Sequence, residues 1–412
     1  MKSKVVSVRP GYKMTPLGEI PEDWKVKRLG DLGTFDKGSG IPKKELSKSG
    51  LPCVRYGEIY TTHEYVIKKF VSFIDNTVAV QSKRINKGDI LLAGSGETVA
   101  DIGKAVAFVD DFEAYAGGDI IIFTPQKKLL NSITIAYLLD SHFVKKQKAR
   151  LGVGGQIVHI YPSAIKTISI PVMPLKEQKA IAKILSTWDK AIDKTRQLIE
   201  QKELRKKALM QQLLTGKKRL KGFSGEWKEV RLGEVFSERN EAYTKGLPLL
   251  TIGIDGIYLQ SESSKRDISN DDKSKYKRIC PGDIGYNTMR MWQGRCVLSH
   301  LEGIVSPAYT VVTALEGQSS EFYALLFTLP ETVYKFYRHS QGLVKDTLNC
   351  KFPDFAQIKV HSPGVEEQIA IANLLGITDD DLKIEKERLE KLKLQKKALM
   401  QVLLTGKKRL VK

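Results

Sequence analysis

The sequence comprises 412 residues, 42% of them hydrophobic, so at roughly 150 residues per domain we expect two or three domains with proper cores. Lys and Arg total 67 against 47 Asp and Glu, which gives a net charge of +20. This charge indicates a polyanionic partner, for which nucleic acid is the leading candidate and an anionic membrane the second. The apolar runs are far shorter than the roughly 18 residues of a membrane-spanning helix, and the N-terminus has no signal-peptide core. The four cysteines lack the spacing of a disulfide framework or a zinc site. We therefore expect a soluble, reduced, cytoplasmic protein.

The predicted elements, taken in chain order, indicate an α+β fold. Strands are predicted from β-branched runs bounded by Gly, Pro or Ser, and helices from apolar residues at helical spacing. The first half yields strands over 5–8, 118–123 and 168–172, with a helix over 133–147. The second half yields strands over 305–312 and 358–360, with a helix over 321–338.

Each half closes in a helical region with a predicted joint. A short helix begins after Pro174, and Thr378 followed by three aspartates predicts a new helix start near 376–379, matched by a joint near 186–189. Long helices then run over about 189–214 and 379–404, and Gly216 or Gly406 ends them. Apolar residues at heptad-like spacing predict a helix interface, within the chain or with a partner: Ile192, Ile199, Leu209, Leu213, Leu382, Leu389, Leu392, Leu399 and Leu403.

The sequence contains an internal duplication. Residues 206–220 read KKALMQQLLTGKKRL and residues 396–410 read KKALMQVLLTGKKRL, an offset of 396 − 206 = 190. Glu177-Gln178 and Glu367-Gln368 match at the same offset, whereas earlier elements match at offsets that drift. Each half therefore has a divergent front and a nearly identical back, which indicates two recognition modules on one framework. A duplicated fold without a functional division is the alternative.

The duplication also predicts the domain bounds and a closed arrangement. The bounds are an N-terminal segment 1–23, a first front 24–174, a helical region 175–222, a second front 223–363 and a helical region 364–412. Residues 18–24 occupy the place in the first half that residues 221–227 occupy in the second, so the C-terminus should lead back to residue 18. We expect a circular, pseudo-twofold arrangement in which segment 1–23 closes the ring.

The order front, helix, front, helix resembles the specificity subunit of type I restriction-modification enzymes. The shared motifs are E-Q-x-x-I-A at the start of each helical region, L-L-T-G at its end, K-G-D-I-L at 87–91, and the approach I-P-x-x-P-L-x-E-Q that ends at Gln178. The second half departs from this approach, because His361-Ser-Pro-Gly replaces Pro171-Val-Met-Pro.

The resemblance implies two α/β target-recognition domains separated by two long antiparallel helices. Each domain would read one half of a gapped double-stranded DNA target, and the helices would dock two modification subunits, which are adenine methyltransferases. Restriction subunits would join through this assembly, and a membrane has no part in it. S-adenosylmethionine, ATP and Mg²⁺ are expected only on the partner subunits.

No catalytic or metal-binding set is recognised in the sequence. Gly103-Lys104 lacks the first glycine and the final hydroxyl residue of a P-loop, no Pro-Pro motif occurs, and the histidines are not paired at ligand spacing. Pro353-Asp354 with Asp381-Leu-Lys383 matches a nuclease pattern weakly. We therefore predict a non-catalytic subunit. The alternatives are a self-contained DNA-modifying or cleaving enzyme with a fused recognition module, and a structural or RNA-binding scaffold.

Candidate DNA-contacting residues are donors and aromatic side chains on segments outside the long helices. The densest stretch lies in the second front: Tyr286, Asn287, Arg290, Trp292, Gln293 and Arg295. Further candidates precede the two helical regions: Arg150, Gln156 and His159, and then Arg338, Gln341 and Lys345. A third group is Arg55, Tyr56 and Tyr60. Core packing is the alternative for Tyr286 and Trp292, and a structural ion pair for Arg55.

Overall fold

The computed structural model describes residues 8–242, 246–253, 256–263 and 271–410, so most of the strand predicted over 5–8 lies outside the described residues. The chain divides into two compact units, Met1–Thr195 with Arg388–Lys412, and Arg196–Glu387. Each unit therefore contains one front, the beginning of the long helix that follows it, and the end of the other long helix. The linear domain bounds from the sequence stay predictions.

The elements of the first half are short strands and short helices before one long helix. The strands are β1 (Tyr12–Thr15), β2 (Gly18–Pro21), β3 (Lys25–Arg28), β4 (Gly33–Lys37), β5 (Leu51–Val54), β6 (Tyr65–Val66), β7 (Ser72–Ile74), β8 (Lys83–Ile85), β9 (Ile90–Ala93), β10 (Ser95–Gly96), β11 (Ala105–Ala107), β12 (Ala114–Ala116), β13 (Ile120–Pro125), β14 (Val158–His159) and β15 (Ser169–Val172). The helices are α1 (Tyr56–Thr61), α2 (Asn76–Gln81), α3 (Ser132–Leu139), α4 (His142–Leu151), α5 (Pro162–Lys166) and α6 (Leu175–Leu213).

The second half repeats this plan. Its strands are β16 (Lys228–Arg231), β17 (Phe236–Glu238), β18 (Leu250–Gly253), β19 (Gly256–Leu259), β20 (Lys277–Ile279), β21 (Ile284–Asn287), β22 (Cys296–Leu298), β23 (Gly303–Val305), β24 (Tyr309–Ala314) and β25 (Lys359–Ser362). Its helices are α7 (Ser320–Leu326), α8 (Pro330–His339), α9 (Phe352–Ala356) and α10 (Val365–Leu403).

Both fronts contain an equivalent central sheet, with five strands in the first and four in the second. In the first unit its order is β4-β13-β9-β11-β6, and in the second it is β17-β24-β21-β22. The central strand β9 is buried at every position, as expected for the apolar run Ile-Leu-Leu-Ala. The first and last strands of each front also pair antiparallel, β3 with β15 and β16 with β25, which brings the front back to the start of its long helix. The α+β class predicted from the sequence is confirmed.

The long helices are continuous, and the predicted joints are wrong. α6 and α10 each run for 39 residues without a break. The Thr378 hydroxyl donates to the Leu375 carbonyl inside the helix and so does not cap a new one. Leu375 and Leu382 on either side are buried, and their packing outweighs the roughly 1 kcal/mol cost of Gly376 within a helix. The predicted ends hold, because Gly216 and Gly406 lie at φ +69° and +71°.

Three shorter predictions are also corrected. The helix predicted over 133–147 is two helices, α3 and α4, because the chain turns at Asp140-Ser141. The helix predicted over 321–338 is likewise α7 and α8, since Pro330 starts a new helix and cannot continue the previous one. The strand predicted over 305–312 divides into β23 and β24 at a turn that contains Pro307.

In the first unit the end of α10 docks on the start of the chain. Arg409 donates to both carboxylate oxygens of buried Glu177 at 2.7 and 2.9 Å, and its guanidinium lies 5.7 Å from the Trp24 ring centroid. These hydrogen bonds raise the pKa of Arg409. The Tyr12 hydroxyl donates to the Gly406 carbonyl at 2.7 Å. The predicted return of the C-terminus to the N-terminal segment is therefore present within this unit.

The second unit makes the same contacts with the repeat partners of these residues. Arg219 donates to both oxygens of Glu367 at 2.7 and 2.5 Å, and it lies 5.9 Å from the Trp227 ring centroid. Arg219 matches Arg409, and Glu367 matches Glu177, at the offset of the duplicated helix ends. Each unit is thus completed by the helix end that belongs to the other repeat. Among the described residues, no helix is long and apolar enough to cross a membrane.

Candidate nucleic-acid interface

Each front carries a loop whose two ends are joined by a reciprocal pair of backbone hydrogen bonds, which we call a stapled loop. In the first stapled loop, the Val153 amide donates to the His159 carbonyl at 2.9 Å, and the His159 amide donates back at 2.7 Å. In the second, Gln341 and Asn349 exchange the same two bonds at 2.8 Å each. His159 and Asn349 are related by the offset of the duplicated helix ends, so the loops occupy equivalent positions.

Both stapled loops are attached to the segment that follows the central strand of the sheet. The Ile160 amide donates to the Gly94 carbonyl at 2.8 Å, and the Cys350 amide donates to the Thr288 carbonyl at 2.9 Å. The acceptors follow β9 and β21, which are equivalent strands of the two central sheets. Each front therefore presents two adjacent irregular segments, and most of the residues predicted to contact DNA lie on these two segments or beside them.

In the second front the structure brings most of the predicted residues together. Trp292 is half-buried, donates from its indole N–H to the Met289 carbonyl at 3.0 Å, and meets the Tyr337 ring of α8 with centroids 6.4 Å apart. Asn287 is half-buried and its side-chain oxygen accepts from the Met289 amide. The remaining predicted residues of this front have exposed side chains: Arg290, Gln293, Arg295, Arg338, Gln341 and Lys345.

Tyr286 is a correction to the predicted site. Its side chain is 0% exposed and stacks on Phe355, with ring centroids 5.3 Å apart. Burial raises the pKa of its phenol well above the ordinary value. Tyr286 is therefore a core residue that supports the segment, and it cannot contact a ligand in this fold.

In the first front two of the predicted residues, Tyr60 and His159, meet at Ser95. The Ser95 hydroxyl bonds to Nδ1 of His159 at 2.9 Å, and the Tyr60 hydroxyl donates to the Ser95 carbonyl at 3.0 Å. Arg55 and Tyr56 lie at the start of α1, which carries Tyr60. Exposure differs within the set: Arg150, Gln156 and Tyr56 are exposed, while Arg55, Tyr60 and His159 are half-buried.

Two lysines next to this cluster were not predicted. Lys148 on α4 is 2% exposed and donates to the Gly103 carbonyl at 2.8 Å, and burial lowers its pKa to about 8. Lys104 donates to the Tyr60 carbonyl at 3.2 Å, and burial lowers its pKa as well. Counted back from the last residue of each helix, Phe336 on α8 stands where Lys148 stands on α4. No local pattern distinguishes a buried lysine from a surface one, which is why the sequence did not reveal them.

The residues predicted for the helix interface divide by burial. Ile192, Ile199, Leu213, Leu382 and Leu403 are buried inside the units, which is the within-chain alternative of the prediction. The other four keep part of their surface: Leu209, Leu389, Leu392 and Leu399. The exposed apolar side chains of the long helices are a different set: Leu198, Leu204, Ile369, Ile377, Ile384 and Leu394.

Comparisons with known proteins agree on one family. A family model described as the type I restriction modification DNA specificity domain matches residues 21–203. A protein of Methanocaldococcus jannaschii assigned as the type I restriction enzyme MjaX specificity subunit is 28% identical over 96% of this chain and 96% of its own length. The MjaVIII specificity subunit of the same organism is 26% identical over 94% of this chain and 93% of its own.

The fold is shared with a solved structure as well. The crystal structure of the S subunit of a type I restriction-modification system from M. genitalium superimposes with a TM-score of 0.60 at 16% identity. It covers 95% of this chain and 99% of that one. The similarity in fold therefore extends over both halves, beyond the residues that the family model matches.

Proposed function

Because the chain is similar to specificity subunits of type I restriction-modification enzymes, we propose that it is one of them and that it reads a two-part, gapped DNA target, one part with each front. The observation that carries this proposal is the stapled loop, which recurs at the same position in both fronts. The side chains on and around the two loops differ. A repeated framework with unlike donors is what recognition of two unlike half-sites requires.

The chemistry of the two surfaces suits DNA. Arg290, Arg295 and Arg338 in the second front are exposed, and arginine pairs both with phosphates and with guanine edges. In the first front the smaller set of exposed donors includes Arg150 and Gln156. The net charge of +20, summed over the whole chain, favours association with a polyanion.

The proposal extends to partners that dock on the long helices. Leu204 and Leu394 are 62% and 68% exposed, and they stand at equivalent positions of the two repeats. A pair of equivalent exposed leucines fits two copies of one partner better than one copy. We propose that these partners are the two methyltransferase subunits, that restriction subunits join through them, and that the length of the helices sets the gap in the DNA target.

In this proposal the chain itself is not catalytic. S-adenosylmethionine, ATP and Mg²⁺ would be bound by the partner subunits. The test is methyl transfer to DNA by the purified chain, with and without methyltransferase subunits of the same restriction-modification system. We expect transfer only in the reconstituted complex and only to duplexes that carry the two-part target. Transfer by the chain without partners would overturn the assignment in favour of the self-contained enzyme.

A further inference from the structure

We propose that the exposed aliphatic residues of the two stapled loops, which we call their tips, insert into the base stack of the target DNA and open a base step in each half-site. This inference rests on the proposed function. The tip of the second loop is Leu343 and Val344, 101% and 61% exposed. The first loop exposes Val153 and Ile157, 54% and 57%. Exposed aliphatic side chains on the equivalent loop of both fronts indicate a surface that is covered when a ligand binds.

The stapled loops are built to hold these side chains in one position. Gly342 lies at φ +152°, where an added Cβ would be 2.7 Å from the Thr347 carbonyl oxygen. The Thr347 hydroxyl donates to the Val344 carbonyl at 3.0 Å, which closes the turn behind Leu343. In the first loop Gly154 lies at φ +126° against the carbonyl of Ile157. The backbone that carries the tips is therefore constrained before binding, which reduces the entropy cost of insertion.

A buried anchor follows each tip. Val158 and Leu348, which are equivalent positions of the duplication, are 2% and 8% exposed, and each lies just inside the staple. Each loop thus combines an apolar residue that is fixed in the core with apolar residues that project into solvent. A loop that only connected α4 to α5, or α8 to α9, would have no physical reason to present aliphatic tips in both fronts.

The charges beside the tips favour DNA over a protein partner. Arg150 at the end of α4 and Arg338 at the end of α8 are exposed and directly precede the two stapled loops. Lys345 is exposed next to Val344 in the second loop. Cations of this kind neutralise phosphates on either side of an apolar wedge, and aliphatic wedges of this kind unstack base steps and bend the duplex.

Insertion explains the exposure of Leu343 better than contact in a groove. A thymine methyl group covers one side of an aliphatic side chain, whereas two separated base pairs enclose it on both faces. Because Leu343 is uncovered on all sides, enclosure removes more of its apolar surface from water. The local cost is the loss of one stacking contact, which a pyrimidine–purine step tolerates best.

The experiment uses the full chain assembled with its methyltransferase subunits and a duplex that carries the methylated target. 2-Aminopurine, which pairs with thymine and brightens when it unstacks, replaces the adenines of the second half-site and its flanks one at a time on either strand, except the methylated adenine. The wild-type complex should raise the fluorescence several-fold at one step. Leu343→Ser should abolish that rise and weaken binding about tenfold. The control is Leu315→Ser, since Leu315 is exposed in the same unit but away from the stapled loop.

The outcomes separate this inference from the proposed function. A specific footprint with no fluorescence rise at any step would overturn insertion and leave DNA recognition intact. Loss of affinity on replacing thymine by uracil, without any unstacking signal, would replace insertion by a groove contact. Weaker capture of the methyltransferase by Leu343→Ser, with unchanged DNA binding, would assign the tip to a protein partner. If the wild-type complex left no specific footprint on the DNA, the proposed function itself would be contradicted.

Discussion

His63 is a buried histidine of the first unit, 2% exposed, that lies directly after α1. Burial, together with the positive charges of Lys104 and Lys69, lowers its pKa from 6.5 to about 4. Between these values the unfolded chain binds a proton that the folded chain does not, so the free energy of unfolding decreases as the pH falls from 6.5 to 4.

We therefore expect the first unit to lose about 2 kcal/mol of stability between about pH 7.5 and about pH 5 through this one group. His63→Gln should remove most of that loss. Denaturant unfolding at the two pH values measures it, with His142→Gln as the control because His142 is exposed in the same unit. An equal acid sensitivity in His63→Gln and the wild type would contradict the assignment.

Arg290 is the residue at which base recognition in the second front is most directly tested. Its side chain is exposed on the segment attached to the second stapled loop. Arg290→Ala should weaken discrimination at one base pair of one half-site by about 1–3 kcal/mol and leave the other half-site unchanged. Competition binding with single-base variants of the target measures this effect. Arg84→Ala, at an exposed position on β8, should leave every position unchanged.

The sequence could identify the segment that carries Arg290 but not which of its residues face outwards. Tyr286 and Arg290 are close neighbours in the chain, and both are of types that contact DNA. Tyr286 is buried because Phe355, which is distant in the sequence, packs against its ring. The stapled loops were missed for a related reason, since the bonds that join Gln341 to Asn349 are made by the backbone and leave no side-chain pattern.

The long helices show how packing overrides local signals at the scale of an element. Thr378 and the aspartates after it are typical of a helix start, and in an isolated peptide a helix would be expected to begin there. In the second unit Lys206 pairs with Asp379, and Lys202 donates to Asp381 at 2.7 Å. These aspartates therefore serve contacts with α6 rather than a cap, and the helix continues through them.

At the scale of an element, the prediction for partner docking concerns Leu204 and Leu394. Leu204→Asp and Leu394→Asp place a charge in the apolar contact, and each should weaken capture of the methyltransferase subunit at least tenfold per site. Binding of the target DNA by the chain should persist. Co-purification with tagged methyltransferase measures the stoichiometry, which we expect to fall from two partners to one in each single variant. Arg205→Asp, at the exposed neighbouring position, is the control.

A double variant that still captured two methyltransferase subunits would show that the partners dock elsewhere. The half-buried residues Leu209 and Leu399 would not then replace the exposed leucines, since both pack against the cores of their units. The exposed isoleucines of α10 would become the next candidates: Ile369, Ile377 and Ile384.

At the scale of the whole molecule, the duplication predicted the architecture better than any local pattern did. Residues 206–220 and 396–410 differ at one position, Gln212 against Val402. The structure explains the near identity, because both segments dock on equivalent partners, Glu367 and Glu177. In the proposed function the fronts could diverge because their loops would contact DNA, whereas the helix ends could not diverge because each completes a unit.

The central claim, a two-part DNA target read by two fronts, is tested most directly by a genome-wide map of methylated adenines in the source cell. The map is made with the gene intact, with the gene deleted, and with Arg290→Ala in its place. We predict a gapped motif, methylated in both parts, that disappears on deletion and is relaxed in only one part by the substitution. An identical methylation map in all three strains would contradict the account.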